Sequence, residues 1–188
     1  MLSADEYLDD FWPNFHQLDD VFWKLERIQS FRSRPSWVAM VEGDWDRSLK
    51  LVDDGCRPAR RRERPAKRVR RRRIRIVEQP ITPYLQWEMH LLALRAATVE
   101  KVRVLDAGEV AEIEVGRRLP ELVVLGTVAM YEVTYDESGR HSGARRIDDR
   151  EVIAACQGEL DKLFERGEEF RPYYEREILP LPAPRVSV

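Results

Sequence analysis

The chain has 188 residues, 43% apolar and 35% charged, with a formal net charge of −2. This is enough apolar material for one core, with far more ions than the roughly 25% of an average domain. No run approaches the roughly 20 apolar residues of a membrane helix, and the acidic start MLSADEYLDD lacks the basic and apolar regions of a secretory signal, so a cytoplasmic protein with no membrane partner is expected.

Residues 3–29 read as a helix. Ser3 is placed to cap it, with Asp5 and Glu6 in the first turn, where the helix dipole favours acids. Tyr7, Leu8, Phe11, Phe15, Leu18, Phe22 and Leu25 recur at roughly helical spacing, and Pro13 should kink or split the run. Ser36 to Val52 reads as a second helix with Trp37, Met40, Val41, Trp45, Leu49 and Val52 on one face. Gly43 weakens it, and Asp53-Asp54-Gly55 ends it.

Residues 56–68 read as a loop, because Pro58, Pro65 and the arginines oppose both helix and burial. Here the charge is segregated. Residues 57–75 hold twelve of the 32 basic side chains against one acid, Glu63, a local charge of +11; the remainder carries −13. Arginine forks match phosphate oxygens, and such contacts weaken with salt. The candidate anion- and partner-binding residues are therefore Arg60, Arg61, Arg62, Lys67, Arg68, Arg70, Arg71, Arg72, Arg73 and Arg75. The partner would be an acidic protein surface or a nucleic acid. Two other readings stand beside it: neutralisation by the chain's own acids, and a solvated run of like charge. The acidic body opposes strong non-specific DNA binding. No aromatic interleaves the arginines, so a stacking platform for single strands is absent.

A strand begins at Val69. Ile74 and Ile76 alternate with Arg73 and Arg75, the period of a half-buried strand, which assigns the last arginines to the solvent face. A third helix starts at Ile81 or Thr82, with Pro83 in its first turn. Residues 101–105 read as a short strand, and Ala111–Val115 as another. Leu122–Leu125 and Val128–Tyr135 form the clearest strand pair; Asp136–Gly139 is a turn, and 143–147 should pair back. Asp148 or Asp149 caps a last helix, 150–167, whose buried face is Val152, Ile153, Cys156, Leu160, Leu163 and Phe164. The proline-rich tail from Leu179 should be extended. The two isolated cysteines, Cys56 and Cys156, read as reduced thiols.

These elements predict an α+β fold: an antiparallel or mixed sheet of about four to six strands, with helices at the N-terminus, between strands one and two, and at the C-terminus. The expected organisation is an N-terminal amphipathic helical arm (1–35), an α+β domain (36–178) with the basic loop 56–68, and a tail (179–188).

Catalytic signatures are missing. There is no GxxxxGK and no GxGxxG. Gly139-Arg140-His141-Ser142-Gly143 has its serine one place late for a nucleophile elbow. No histidine begins an HxK pair, and His16, His90 and His141 show no zinc spacing, so no metal and no cofactor is expected. Tyr84 and Glu88 lie four apart on one helix face and, with Arg73 or Arg75, would line a polar pocket; they are the candidate catalytic residues. The plainer reading is an Arg–Glu pair tying helix to sheet.

Several segments carry a resemblance when taken in order. They are Trp37 to Gly55, with Gly-Asp-Trp-Asp at Gly43–Asp46; Arg73 to Pro80; Tyr84 to Glu88; Val102 to Leu105; Leu119-Pro120; and Tyr135 to Gly139 followed by Gly143. Together they resemble the actinobacterial domain of unknown function 6879 family over about residues 37–175. Where that family has a Phe-Trp-Leu-Phe-Asp strand, this chain has Leu122-Val123-Val124-Leu125-Gly126. The resemblance implies no established activity. It implies an actinomycete source and genes often beside helix-turn-helix regulators, which would make such a regulator a partner. The expectation is a non-enzymatic regulatory or interaction protein that binds an anionic partner through 57–75. One alternative is a phosphate- or nucleotide-acting enzyme with an arginine clamp and Glu88 as base. Another is a structural subunit, a homodimer among the options, docking through its N-terminal aromatic helix.

Overall fold

The computed structural model describes residues 1–30, 35–62 and 69–184, without the side chains of 56–62. In chain order the elements are β1 (Leu2–Ser3), α1 (Ala4–Gln17), β2 (Val21–Glu26), α2 (Pro35–Val41), α3 (Trp45–Arg62), β3 (Arg70–Val77), α4 (Pro83–Ala96), β4 (Lys101–Asp106), β5 (Glu121–Leu125), β6 (Ala129–Tyr135), β7 (His141–Ile147), α5 (Arg150–Arg166), β8 (Glu168–Glu169) and α6 (Phe170–Tyr173). The fold is α+β with a mixed sheet, and its strand order is β1-β7-β6-β5-β2-β3-β4-β8. Eight strands replace the expected four to six. The short β1 and β8 at the edges, and α6, carry too little sequence pattern to have been read.

The largest correction lies at the N-terminus. Residues 3–29 are not one helix, and residues 1–35 are not an arm. Ser3 caps α1 with a reciprocal box: its N–H donates to Glu6 Oε2 at 2.8 Å, and Glu6 N–H donates to Ser3 Oγ at 3.4 Å. The helix ends at Gln17, with Pro13 inside it. β2 follows, running parallel to β3 and antiparallel to β5 near the centre of the sheet. A central strand is buried on both faces and so shows no alternation.

The predicted second helix is two. Gly43, at φ 85°, closes α2 and is followed by α3. Gly55 does not stop α3, which runs to Arg62, so part of the expected loop 56–68 is helical; residues 63–68 lie outside the described residues. Ala111–Val115 is not a strand: a 3-10 turn at Ala107–Val110 leads into a turn that exposes Ile113 and Val115. Thr82 caps α4 and Asp149 caps α5. Val152, expected inside, is exposed, and Cys156 is half-buried against the core. The tail turns at Leu179–Leu181, and Gln86 Nε2 donates to the Pro182 carbonyl at 2.9 Å. Residues 185–188 lie outside the described residues.

The two sheet faces differ. On one, Trp23, Leu25, Ile74, Ile76 and Val124 pack on Ile153, Leu160, Leu163 and Phe164 of α5 in an apolar layer, with Arg72 at its margin over Trp23 and Phe164. The other carries two apolar clusters. Tyr7, Phe11 and Phe15 of α1 cover Phe22, Val123 and Tyr131; Leu85, Met89 and Leu92 of α4 cover Val77, Val102 and Val104. Between them, on β2 and β3, lies a charged zone. The α2–α3 pair packs outside α4 through Met40, Val52, Tyr84 and Trp87.

At the opposite edge, Ser3 of β1 pairs with Gly143 of β7. Gly143 has φ 143°, and a Cβ there would lie 2.0 Å from the Leu2 carbonyl oxygen. Gly143→Ala should therefore cost about 1–3 kcal/mol. Urea unfolding checks this, and an unchanged midpoint would refute the close approach of β1.

Candidate functional site

The register of β2 and β3 sets Lys24 opposite Arg73 and Glu26 opposite Arg75. All four side chains leave the same sheet face, beneath α1 and α4. The expectation that Arg73 and Arg75 face solvent is therefore corrected: they are 4% and 0% exposed. The alternation was real, but its polar side meets other charges, not water.

A guanidinium that loses water needs carboxylates and carbonyls in its place. Arg75 donates from Nε to Glu88 Oε2 at 2.8 Å. Its Nη1 reaches the carbonyls of Glu26 and Ile76, both at 3.1 Å, and its Nη2 reaches that of Ile28 at 2.7 Å. Arg73 forks onto Glu100 at 2.7 and 3.2 Å and donates from Nη1 to Glu26 Oε1. Arg95 also donates to Glu100 Oε1, from Nε at 2.8 Å and from Nη2. Lys24 Nζ lies 3.1 Å from Glu26 Oε1. The outcome is an alternating chain, Arg95, Glu100, Arg73, Glu26, Lys24, with Arg75 and Glu88 beside it.

The carboxylates of this chain differ in proton affinity. Burial raises that of Glu100, but the Arg73 and Arg95 charges outweigh it and hold the group at about 2. Burial likewise acts on Glu26, and Arg73, Lys24 and Arg75 overcome it, keeping the group well below the usual carboxylate range. Glu88 goes the other way: burial dominates, the Glu26 charge adds to it, and Arg75 offsets only part. A proton entering this cluster therefore settles on Glu88 before Glu26.

Above these groups is a cavity of about 370 Å³. Its walls are aromatic: Tyr7, Phe11 and Phe15 from α1, Trp37 from α2, Tyr84 and Trp87 from α4, and Tyr135 and His141 from the β6–β7 hairpin. Four cations line it, Lys24, Arg71, Arg73 and Arg95, against two carboxylates, Glu26 and Glu88. The Arg71 guanidinium lies 5.1 Å from the centre of the Phe15 ring. Tyr84 Oη donates to Glu88 Oε1 at 3.4 Å. Burial lowers the His141 pKa, which favours the neutral ring at pH 7. Chemically the site offers an excess of positive charge, flat apolar walls and one carboxyl, Glu88, whose proton affinity is raised.

The sequence candidates thus divide. Arg71, Arg73 and Arg75 point under α1 and α4, and Tyr84 and Glu88 join the first two at the cavity. Arg72 is on the opposite face, bonded to Asp161 at 2.5 Å and lying over Trp23 and Phe164. Arg70 is exposed and 3.2 Å from Asp20. Arg60, Arg61 and Arg62 lie on the backbone of α3, but their side chains, like Lys67 and Arg68, are outside the described residues. Lys24, Glu26, Arg95 and Glu100 were missed. Lys24 and Glu26 were hidden because Phe22 and Leu25 continue the helical spacing of Phe15 and Leu18. Among the described residues no group of three or more His, Cys, Asp or Glu is placed to hold a metal, and no helix is long and apolar enough to cross a membrane.

The architecture is that of an α+β protein with a mixed sheet covered by helices on both faces. The chain belongs to the family described as Domain of unknown function (DUF6879), whose model matches residues 9–175. No curated protein matches it in sequence. Among solved structures it is similar to TrmBL2, an archaeal chromatin protein whose structure shows a novel mode of DNA binding. The identity is 12%, with 90% of this chain and 52% of that one covered and a TM-score of 0.43. The chain thus spans about half the length of that protein, a likeness too distant to bear on function.

Removing one partner of a buried pair leaves an uncompensated charge. Arg75→Ala strands Glu88 and three carbonyl groups, and should lower stability by about 3–5 kcal/mol at pH 7. Arg70→Ala, at an exposed pair, should change it by less than about 1 kcal/mol. Denaturant titration of the two variants checks the contrast, and equal effects would contradict the burial described.

Proposed function

We propose that the protein is a non-enzymatic binding protein of regulatory class, and that it takes a small organic anion into the cavity between α1 and α4. The observation that supports this reading is the lining itself: four cations against two carboxylates, enclosed by aromatic rings, around about 370 Å³. In a low-dielectric recess, surplus positive charge is stabilised when an anion enters. Aromatic walls supply contact area at small entropic cost, and the volume falls in the range of ligand pockets. The regulatory half rests on what the family resemblance implies, an actinobacterial source and a helix-turn-helix protein as neighbour and partner. The segment Arg60–Arg68 remains a proposed contact for an acidic protein surface or a nucleic acid.

One observation favours a second reading, a phosphate- or nucleotide-acting enzyme. Glu88 lies on the cavity wall beside Tyr84, with its proton affinity raised by burial. A general base needs such a shift. Against it, Glu88 is tied to Arg75 at 2.8 Å.

Calorimetric titration against a panel of inorganic phosphate, adenosine 5′-monophosphate and one-ring carboxylates tests the proposal. At least one ring-bearing anion should bind, more tightly than phosphate and without turnover, and Lys24→Ala or Arg71→Ala should weaken it about tenfold, near 1.4 kcal/mol. Binding of none contradicts the anion cavity; hydrolysis that Glu88→Gln abolishes favours the enzyme.

A further inference from the structure

Among the described residues, the cavity lining includes buried polar atoms that the protein leaves without a hydrogen-bond partner, Glu26 Oε2, Trp87 Nε1 and His141 Nε2, and of these Glu26 Oε2 belongs to a charged group. Glu26 is 7% exposed and lines the cavity. Its Oε1 receives both Lys24 Nζ and Arg73 Nη1. Its Oε2 is buried and has no hydrogen-bond partner among the described residues. Buried polar atoms are nearly always paired, and a carboxylate oxygen left without a donor inside a protein is costly. Because Arg73, Lys24 and Arg75 keep Glu26 ionised, its two oxygens only accept, and Oε2 is open to a donor carried by a ligand.

Resting on the anion-cavity reading, we infer that the ligand is a one-ring aromatic acid with a neutral hydrogen-bond donor a few bonds from its acid group. Each part follows from a different observation. The donor answers Glu26 Oε2. The acid group must sit close to that donor, because Lys24 Nζ is only 3.1 Å from the other oxygen of the same carboxylate. A molecule touching both therefore carries the two functions on neighbouring atoms. The donor is neutral because four cations already line the cavity against two carboxylates, and an ammonium would add to that excess. The ring answers the aromatic wall of Trp37, Tyr84 and Trp87. The Trp87 indole N–H is buried and has no hydrogen-bond partner among the described residues. The volume of about 370 Å³ accommodates one ring with a three-carbon acid chain.

Three probes with one skeleton separate these requirements. In 2-hydroxy-3-phenylpropanoate the donor is a hydroxyl, in 3-phenylpropanoate it is missing, and in phenylalanine it is an ammonium. Titrated calorimetrically into the full chain, the hydroxy acid should bind at least tenfold more tightly than either of the others. Glu26→Gln should erase its advantage over 3-phenylpropanoate, since the amide presents a donor where Oε2 accepted. Should that variant not fold, the wild-type ranking of the three probes decides alone. Equal affinity for the hydroxy acid and 3-phenylpropanoate, or tightest binding of phenylalanine, overturns the inference while leaving an anion cavity in place. Failure of all three with another anion of the panel bound also overturns it. Failure of every anion overturns the cavity reading with it.

Discussion

Arg73 and Arg75 of β3 are held inside the protein, and the sheet, the helix covering it and the cavity all follow from how their charge is compensated. An ion of this size loses several kcal/mol of hydration on burial. Only carboxylates delivered by other elements can offset that. Glu26 comes from β2, Glu88 from α4, and Glu100 from the turn that leads into β4. Each lies far from its arginine in sequence, 47 residues for Arg73–Glu26, 27 for Arg73–Glu100 and 13 for Arg75–Glu88. The charge chain therefore specifies long-range pairing. It also fixes register, since a one-residue slip of β3 would place Arg73 and Arg75 against the apolar layer under α5.

The same constraint explains why the face beneath α1 and α4 is not closed. Opposite, apolar side chains of β2, β3 and β5 pack against α5, and the Arg72–Asp161 ion pair sits at the exposed margin. Here, long cationic side chains must keep their heads near acids. They part the apolar cluster under α1 from the one under α4. Rings line the resulting gap because they tolerate guanidinium groups at their faces, as Arg71 over Phe15 shows. A stability requirement of the sheet thus produces a half-open, positively biased recess, and the proposed function draws on that bias.

Much of this was legible in the chain. The cap at Ser3, the start of α4 at Ile81 or Thr82, the cap of α5 at Asp148 or Asp149, the β5–β6–β7 hairpins and the period of β3 all follow from local residue types. The grouping of Tyr84, Glu88 and Arg75 was legible too, because helical spacing and strand adjacency bring them together. Other features were not, for two physical reasons. A strand buried on both faces loses its alternation, so Phe22 and Leu25 of β2 continued the helical spacing of Phe15 and Leu18. And a row of arginines says nothing about what faces it. Water and a set of distant glutamates are equally good partners for a charge, and only the fold chooses. Lys24, Glu26, Arg95 and Glu100 became site residues through that choice.

The ionisation of the glutamates reports on this most directly. Carbon-detected NMR titration of the Glu side-chain carboxyls should find Glu100 with a midpoint at about 2, Glu26 ionised well below the ordinary 4.5, and Glu88 protonating above it. If all three titrate together near 4.5, the arginines of β3 are not buried against them, and both the charge chain and the cavity built upon it are wrong.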